Sequence, residues 1–92
     1  MSDPGATSKA ASVQVLYFAA ARDVVGVREE TVAIAPEGCT VEALAAQLFT
    51  LHPALAPHAR SLRLAVNGEY ARASDPVRGG DEVAVIPPVA GG

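Results

Sequence analysis

The residues with the clearest chemical potential stand at the C-terminal end of the chain, in Gly91-Gly92. Because glycine has no Cβ, these residues can thread a narrow channel and leave the terminal carbonyl open to attack from either side. A terminal carboxylate has an ordinary pKa of about 3.5, so it is ionised and inert at neutral pH until it becomes a better leaving group. We therefore interpret Gly92 as the reactive residue and Gly91 as the residue that gives access to it.

The segment before this end is typical of a strand that is followed by an extended tail. Residues 83–86 form an apolar run with β-branched side chains, long enough for a buried strand. Pro87-Pro88 removes two backbone donors and fixes two φ angles, so neither a strand nor a helix continues through it. Residues 89–92 are then predicted to be a flexible diglycine tail, shaped to enter the site of another protein.

The rest of the sequence offers no recognisable catalytic or metal-binding set. His52 and His58 have no partner at a catalytic or metal-ligand spacing, so structural or solvated roles are favoured. Cys39 precedes a predicted helix N-terminus, where its thiol pKa could be lowered, but no second thiol could resolve its oxidation. We predict no metal site, and we interpret the chain as a co-substrate and subunit, not as an enzyme on its own.

Hydrophobic alternation predicts five strands. They fall at residues 13–19, 30–34, 61–66, 69–71 and 83–86. Asn67-Gly68 is typical of the two-residue turn of a hairpin, and Asp75-Pro76 is typical of a turn as well. In the first strand, Gln14 marks one face as exposed. Leu16 and Phe18 share that face, so they are predicted to lie on the outside of the domain.

Two helices are predicted between the strands. Residues 20–25 could form a short helix that stops at Gly26, which suits the left-handed position after a helix. A longer helix is predicted from its N-cap, Thr40, to Pro53, with an apolar stripe that faces a sheet. If the first and last strands lie side by side in the middle, they run parallel. The order then predicts an α+β, ubiquitin-like β-grasp fold, a mixed sheet packed on one main helix, with an extended C-terminal tail.

Length and charge limit the domain and its partners. A chain of 92 residues is expected to form one domain, with residues 1–12 disordered and residues 13–88 folded. The net charge of −3 and the pI of 5.2 argue against nucleic acid as a partner. No apolar window reaches about 18 residues, so no membrane span is expected. A single cysteine suits a reducing compartment, and we expect a cytoplasmic location.

Several segments together resemble the small, sulfur carrier subunit of molybdopterin synthase. They are Val15-Leu-Tyr-Phe-Ala19, Arg22, Gly26, Thr40-Val-Glu-Ala-Leu44, Ala65-Val-Asn67 and residues 80–92. The resemblance begins at about Val13, and its most specific part is Gly-Asp-Glu-Val-Ala followed by Pro-Pro-Val-x-Gly-Gly. The double proline separates it from the related sulfur carrier of thiamin biosynthesis. One departure is Val85-Ile86, where the bacterial pattern often has aromatic residues.

The resemblance implies a β-grasp sulfur carrier. In that family a ubiquitin-activating-like enzyme uses ATP to adenylate the terminal carboxylate, here Gly92, and sulfur replaces AMP to give a thiocarboxylate. The tail enters the large synthase subunit and donates sulfur to cyclic pyranopterin monophosphate, which forms the dithiolene of molybdopterin. Two large and two small subunits make a heterotetramer. ATP belongs to the activating enzyme, and this chain is expected to bind no cofactor.

The resemblance also implies a docking face. Phe18, Tyr70 and Ile86 match family positions that pack against the large subunit, close to Pro87 and Pro88. Three exposed large apolar side chains on one sheet face would form a patch of a few hundred Å², a size that marks interfaces. The alternative is that the parity of the first strand is reversed and that Phe18 belongs to the core.

Two other classes of function remain open from the residues. The same fold and tail could serve a protein modifier, joined to lysines through Gly92, or a carrier of the thiamin-pathway type. An ordinary β-grasp interaction domain could carry an idle tail. The product at the C-terminus, a free thiocarboxylate or an isopeptide bond, distinguishes a carrier from a modifier. Truncation of the tail tests whether the tail matters at all.

Overall fold

The computed structural model describes residues 11–87, so Pro88, the predicted tail and most of the predicted disordered segment lie outside the described residues. The elements are β1 (Ala11–Tyr17), α1 (Ala19–Val25), β2 (Glu29–Ile34), β3 (Cys39–Thr40), α2 (Val41–Leu51), a 3₁₀ helix (Pro53–His58), β4 (Arg63–Val66), β5 (Glu69–Tyr70), β6 (Pro76–Val77) and β7 (Glu82–Ile86). Within these residues, no helix has the length and apolar character needed to cross a membrane.

Five strands form one mixed sheet in the order β2-β1-β7-β4-β5. The first and last strands lie next to each other in its centre and run parallel, with Val15 opposite Val83. The pairs on either side are antiparallel. Asn67 and Gly68 both have positive φ, as the predicted hairpin turn between β4 and β5 requires. The predicted α+β, β-grasp architecture is confirmed.

The core lies between one face of this sheet and the helices. Strand alternation selects the buried face, because successive side chains point to opposite sides. In the two central strands every buried side chain belongs to one parity: Val13, Val15, Tyr17, Val83 and Val85, each at most 3% exposed. Leu44 and Leu48 of α2 complete this layer from the other side. Full burial of each such side chain stabilises the fold by about 1.5–3 kcal/mol.

The boundaries of α2 follow the predicted signals. The Thr40 hydroxyl accepts a hydrogen bond from the Ala43 backbone N–H at 3.1 Å, so Thr40 is the N-cap. At the other end, Leu51 is 52% exposed and His52 turns inward. Pro53 ends this helix but begins the 3₁₀ helix, which was not predicted. Its fixed φ and missing N–H suit a first helical turn, because that N–H has no partner within the helix.

The short helix α1 connects the end of β1 to β2. It stops at Gly26, which has a φ of 93° and donates its N–H to the Arg22 carbonyl at 2.7 Å. This is the predicted left-handed end. At its start, Phe18 is the N-cap, with extended backbone and no side-chain hydrogen bond to the first turn. An apolar residue therefore stands where a serine or aspartate would cap the helix.

A small second sheet was not predicted. Its strands, β3 and β6, pair Cys39 with Val77 and Thr40 with Pro76, so Pro76 is part of a strand and not only of a turn. Two-residue strands carry too little alternation to be recognised in a sequence. Their contact requires glycine at position 38, because a Cβ there would lie 2.6 Å from the Val77 carbonyl oxygen.

The ends of β1 and β4 differ from the prediction. Ala11 and Ser12, predicted to be disordered, belong to β1: Ser12 lies opposite Ala33 and its carbonyl accepts from the Gly80 N–H at 2.8 Å. Their small side chains gave no apolar signal, but their backbone groups complete the ladder. β4 begins at Arg63, two residues later than predicted, because the backbone before it still turns away from the 3₁₀ helix.

Candidate docking face and tail exit

The outer face of the sheet carries apolar side chains at the C-terminal end of β1. Phe18 is 46% exposed and Leu16 is half-buried, whereas Tyr17, of the opposite parity, is buried. The Phe18 backbone N–H donates to the Val85 carbonyl at 3.2 Å, which fixes Phe18 beside the end of β7. The structure therefore places Phe18 outside the core, as the parity of β1 predicted.

Five apolar residues, which we call the outer patch, surround a shallow depression of about 320 Å³. They are Leu16, Phe18, Tyr70, Ala84 and Ile86. Ala84 lies opposite Leu16 in the parallel ladder of β1 and β7, so its small side chain leaves room between larger neighbours. A depression with large apolar walls and a small residue in its floor can take an apolar side chain of another protein.

Tyr70 stands at the edge of the outer patch on the short strand β5. It is 68% exposed, and the guanidinium carbon of Arg63 lies 5.9 Å from the centre of its ring. Such a cation–π contact favours one ring orientation. Arg63 is also opposite Ile86 in the ladder of β4 and β7. The structure thus brings together three of the predicted docking residues, Phe18, Tyr70 and Ile86.

The tail leaves the domain at the end of β7, next to the outer patch. Ile86 is the last residue of β7, and Pro87 follows it, half-buried. Because β7 is hydrogen-bonded to β1 on one side and β4 on the other, the exit point is held firmly. Pro88, Gly91 and Gly92 lie outside the described residues, so the roles predicted for them remain predictions.

A polar network links the end of α2 to the sheet. Tyr17 donates its hydroxyl hydrogen to Glu30 Oε2 at 2.5 Å, and His52 Nε2 lies 2.5 Å from the same oxygen. The Tyr17 and His52 rings meet edge to face at 5.7 Å. This gives His52 a structural role. Tyr17, Glu30 and His52 lie far apart in the sequence, so their spacing could not predict that they are in contact.

The network shifts two pKa values in opposite directions. Burial raises the pKa of Tyr17, and the hydrogen bond to Glu30 and its negative charge raise it further. For Glu30, burial alone would raise the pKa, but its hydrogen bonds with Tyr17 and His52 and the electrostatic interaction with His52 outweigh it. The pKa of Glu30 is therefore lowered, and the ionised carboxylate is the form that the fold stabilises.

Cys39 does not have the lowered pKa that its position before α2 could have given it. Burial raises the pKa of Cys39, because the charged thiolate is disfavoured away from water. Cys39 is paired with Val77 in the small sheet and is half-buried. Among residues 11–87, no group of three or more His, Cys, Asp and Glu side chains is arranged to hold a metal ion.

Comparison with known proteins shows sequence similarity over nearly the whole chain. The pattern of the ThiS family matches residues 15–92. The molybdopterin synthase sulfur carrier subunit of Chlamydomonas reinhardtii is 44% identical over 82 residues. The matched region covers 87% of this chain and 98% of the algal protein, so the similarity spans the algal protein from end to end.

Three solved structures share the fold. A putative molybdopterin converting factor, subunit 1, from Pyrococcus furiosus is 32% identical with a TM-score of 0.76, over 86% of this chain and 99% of that one. The small archaeal modifier protein 1 of Haloferax volcanii is 29% identical with a TM-score of 0.74 and the same coverage. A complex of subunits 1 and 2 of molybdopterin-converting factor from Helicobacter pylori, at 21% identity and a TM-score of 0.63, covers 88% and 99% and shows the fold alone.

Proposed function

We propose that this chain, which belongs to the ThiS family, is the sulfur carrier subunit of a molybdopterin synthase. The observation that carries the proposal is the 44% identity to a carrier subunit that is matched over 98% of its length. The placement of the tail supports it. The chain leaves β7, a strand paired on both sides, beside the outer patch, where a partner could bind the domain and receive the tail together.

The proposed chemistry takes place at Gly92. An activating enzyme binds ATP, and the Gly92 carboxylate attacks its α-phosphorus, which releases pyrophosphate and leaves an acyl adenylate. A hydrosulfide ion from the sulfur donor then attacks the carbonyl carbon and expels AMP, which gives the C-terminal thiocarboxylate. The product is an anionic sulfur nucleophile and needs no general base from this chain. No cofactor is assigned to the chain itself.

The proposed acceptor is cyclic pyranopterin monophosphate, held by a large subunit that receives the tail. The thiocarboxylate sulfur of each tail bonds to the pterin, and water then cleaves the acyl carbon–sulfur bond, so that the sulfur stays on the pterin and the tail returns to the carboxylate form. The outer patch supports a protein partner, because it exposes aromatic and aliphatic side chains together. The Helicobacter pylori protein of the same fold is found in a complex of subunits 1 and 2. We propose a large subunit as the partner of this chain, and a cytoplasmic location in keeping with its single free cysteine.

Mass spectrometry of the intact chain tests the proposal. After incubation with the activating enzyme, ATP and a sulfur donor, we expect the mass to rise by the difference between sulfur and oxygen, and fragmentation should locate the change at Gly92. The same mixture without ATP is the control. An unchanged mass in the complete mixture would contradict the carrier function.

A protein modifier is the second candidate, because the Haloferax volcanii structure of the same fold is named a modifier. The two functions share activation of Gly92 and differ in the nucleophile that replaces AMP. A sulfur donor gives a thiocarboxylate, whereas a lysine amine gives an isopeptide bond. Recovery of the chain joined to lysines of other proteins, with no thiocarboxylate form, would favour the modifier.

A further inference from the structure

Asn67, the first residue of the turn between β4 and β5, makes side-chain contacts that a hairpin turn does not require. Its Oδ1 accepts a hydrogen bond from the Glu82 backbone N–H at 3.0 Å, and its Nδ2 donates to Asp81 Oδ1 at 3.1 Å. The Asn67 backbone N–H also donates to the Glu82 carbonyl at 2.8 Å. These three hydrogen bonds, which we call the Asn67 clasp, tie the hairpin turn to the start of β7.

The carboxylate of Asp81 is itself fixed in place. Its other oxygen, Oδ2, accepts a hydrogen bond from the Arg78 backbone N–H at 2.9 Å. The hydrogen bonds from Arg78 and Asn67 lower the pKa of Asp81, so the ionised carboxylate is the form that the fold stabilises. Because a hydrogen bond to a charged group is stronger than one between neutral groups, the Asn67 amide is held in one orientation.

The clasp acts on β5, which is held on one side only. β5 has two residues, lies at the edge of the sheet and, among the described strands, pairs with β4 alone. Just after β5, the Ala71 backbone N–H donates to the Leu64 carbonyl at 2.9 Å. The Asn67 clasp lies at the opposite end of β5. The position of this strand relative to β7 therefore depends on Asn67 as well as on the pairing with β4.

Tyr70, on β5, forms one wall of the depression in the outer patch. Residues that lie opposite each other in neighbouring strands share a face of the sheet. Ala84 lies opposite Leu16 on one side and opposite Ala65 on the other. Ala65 in turn lies opposite Tyr70. Two alanines thus separate the large side chains of Leu16 and Tyr70, so a shift of β5 changes the width of the depression.

We propose that Asn67 is a positioning residue, whose clasp sets the place of Tyr70 and thereby the width of the depression that an apolar side chain of the partner enters. The inference rests on the proposed function, because the partner is the large subunit that receives the tail. Glycine or aspartate would also suit the turn. Only an amide side chain can donate to Asp81 and accept from the Glu82 N–H at the same time.

Asn67→Gly tests the proposal, because glycine adopts the φ of 51° readily and keeps the turn while the clasp side chain is lost. In titrations of the full chain with the large subunit, the Kd should rise by roughly fivefold or more. In a Tyr70→Ala chain the same change should alter the Kd by less than about twofold, because the residue through which Asn67 acts is already gone. In the free chain, nuclear Overhauser contacts between the Tyr70 ring and the Arg63 side chain should weaken.

Asp81→Ala opens the clasp from its other side and leaves the hairpin sequence unchanged. The matched control is Asp75→Ala. Asp75 Oδ2 likewise accepts the N–H of the residue three positions earlier, Arg72, at 2.8 Å, but Asp75 takes no part in the clasp. Asp81→Ala should raise the Kd as Asn67→Gly does, whereas Asp75→Ala should leave it unchanged.

Three results would overturn the positioning role. The first is an equal rise of the Kd in chains with and without Tyr70, which would show that Asn67 affects binding by another route. The second is an Asn67→Gly chain with unchanged contacts between Tyr70 and Arg63. The third is an effect of Asp75→Ala as large as that of Asp81→Ala. The Tyr70 contacts are measured in the free chain, so they decide the role of Asn67 even where the wild type binds no large subunit, a result that would refute the proposed function instead.

Discussion

Phe18→Ser separates a docking residue from a core residue. Truncation of a fully buried phenylalanine costs about 3–5 kcal/mol in folding stability. Phe18 is 46% exposed, so about half of that cost, roughly 1.5–2.5 kcal/mol, is at stake. Phe18 is also the N-cap of α1 and makes no capping hydrogen bond. Serine can make one, which returns about 1 kcal/mol.

The expected net loss of unfolding free energy is therefore at most about 1.5 kcal/mol, which lowers the Tm by less than about 12 °C in a domain of this size. Binding should respond far more strongly. An aromatic anchor at the centre of an interface contributes about 2 kcal/mol or more, so the Kd for the large subunit should rise by at least roughly 30-fold.

Thermal unfolding and titration with the large subunit measure the two effects on one sample. Leu51→Ser is the matched control, because Leu51 is 52% exposed and lies at the end of α2, outside the outer patch. It should change neither quantity much. Phe18→Ala, which lacks the new cap, should be less stable than Phe18→Ser. A Phe18→Ser chain that melts far below the wild type would refute the surface position, and a stable chain that still binds tightly would refute docking.

Three further predictions concern other parts of the molecule. Deletion of Gly92 should abolish sulfur transfer in a reconstituted synthase assay while the Tm stays unchanged, because the residue lies beyond the last strand; activity in the truncated chain would contradict its assigned role. Gly38→Ala should lower the unfolding free energy by about 2 kcal/mol or more in denaturant titrations, since its Cβ would lie 2.6 Å from the Val77 carbonyl oxygen. The control, Gly26→Ala, has a similar φ but open space around it, so it should cost only about 1–2 kcal/mol. Equal losses in the two variants would refute the steric argument. The lowered pKa of Glu30 means that its contribution to stability is present above the ordinary pKa of 4.5 and is lost as the pH falls through the lower folded value. Unfolding of Glu30→Gln should therefore depend less on pH in the acid range, and an unchanged slope would count against the network.

The architecture could be predicted because its signals are local and repeated. Gln14 was enough to set the parity of β1, and one correct parity places every other residue of that strand. Thr40 and Gly26 mark helix ends through their own backbone preferences, which depend little on the rest of the chain. The parallel pairing of β1 with β7 followed from the apolar character of the last strand on both faces, which indicates a central position.

The missed features depend on contacts between distant residues. The hydrogen bonds of Glu30 to Tyr17 and His52 join three elements, and none of these residues stands in a recognisable spacing. The position of Cys39 before α2 allowed a lowered pKa, but burial raises its pKa instead. The small sheet and the 3₁₀ helix are too short to show a periodic pattern.

The candidate site was predictable only in part. Exposure of the outer patch followed from strand parity, since Phe18 and Leu16 share the face of Gln14. The depression between these residues did not, because it depends on the small Ala84 lying opposite Leu16 across a long-range ladder. The cavity between α1, the 3₁₀ helix and Pro87 could not be predicted from the sequence either, because it forms where the 3₁₀ helix meets α1.

The central pairing of β1 with β7 also governs the order of events during synthesis. Val15 lies opposite Val83, so the first strand must wait for nearly the whole domain before its main neighbour exists. A nascent chain that has not yet released β7 from the ribosome leaves an apolar edge of β1 unpaired. The sheet therefore closes at nearly the same time as the C-terminal segment leaves the ribosome. An activating enzyme that recognises the closed sheet would accept only chains whose last strand is already in place.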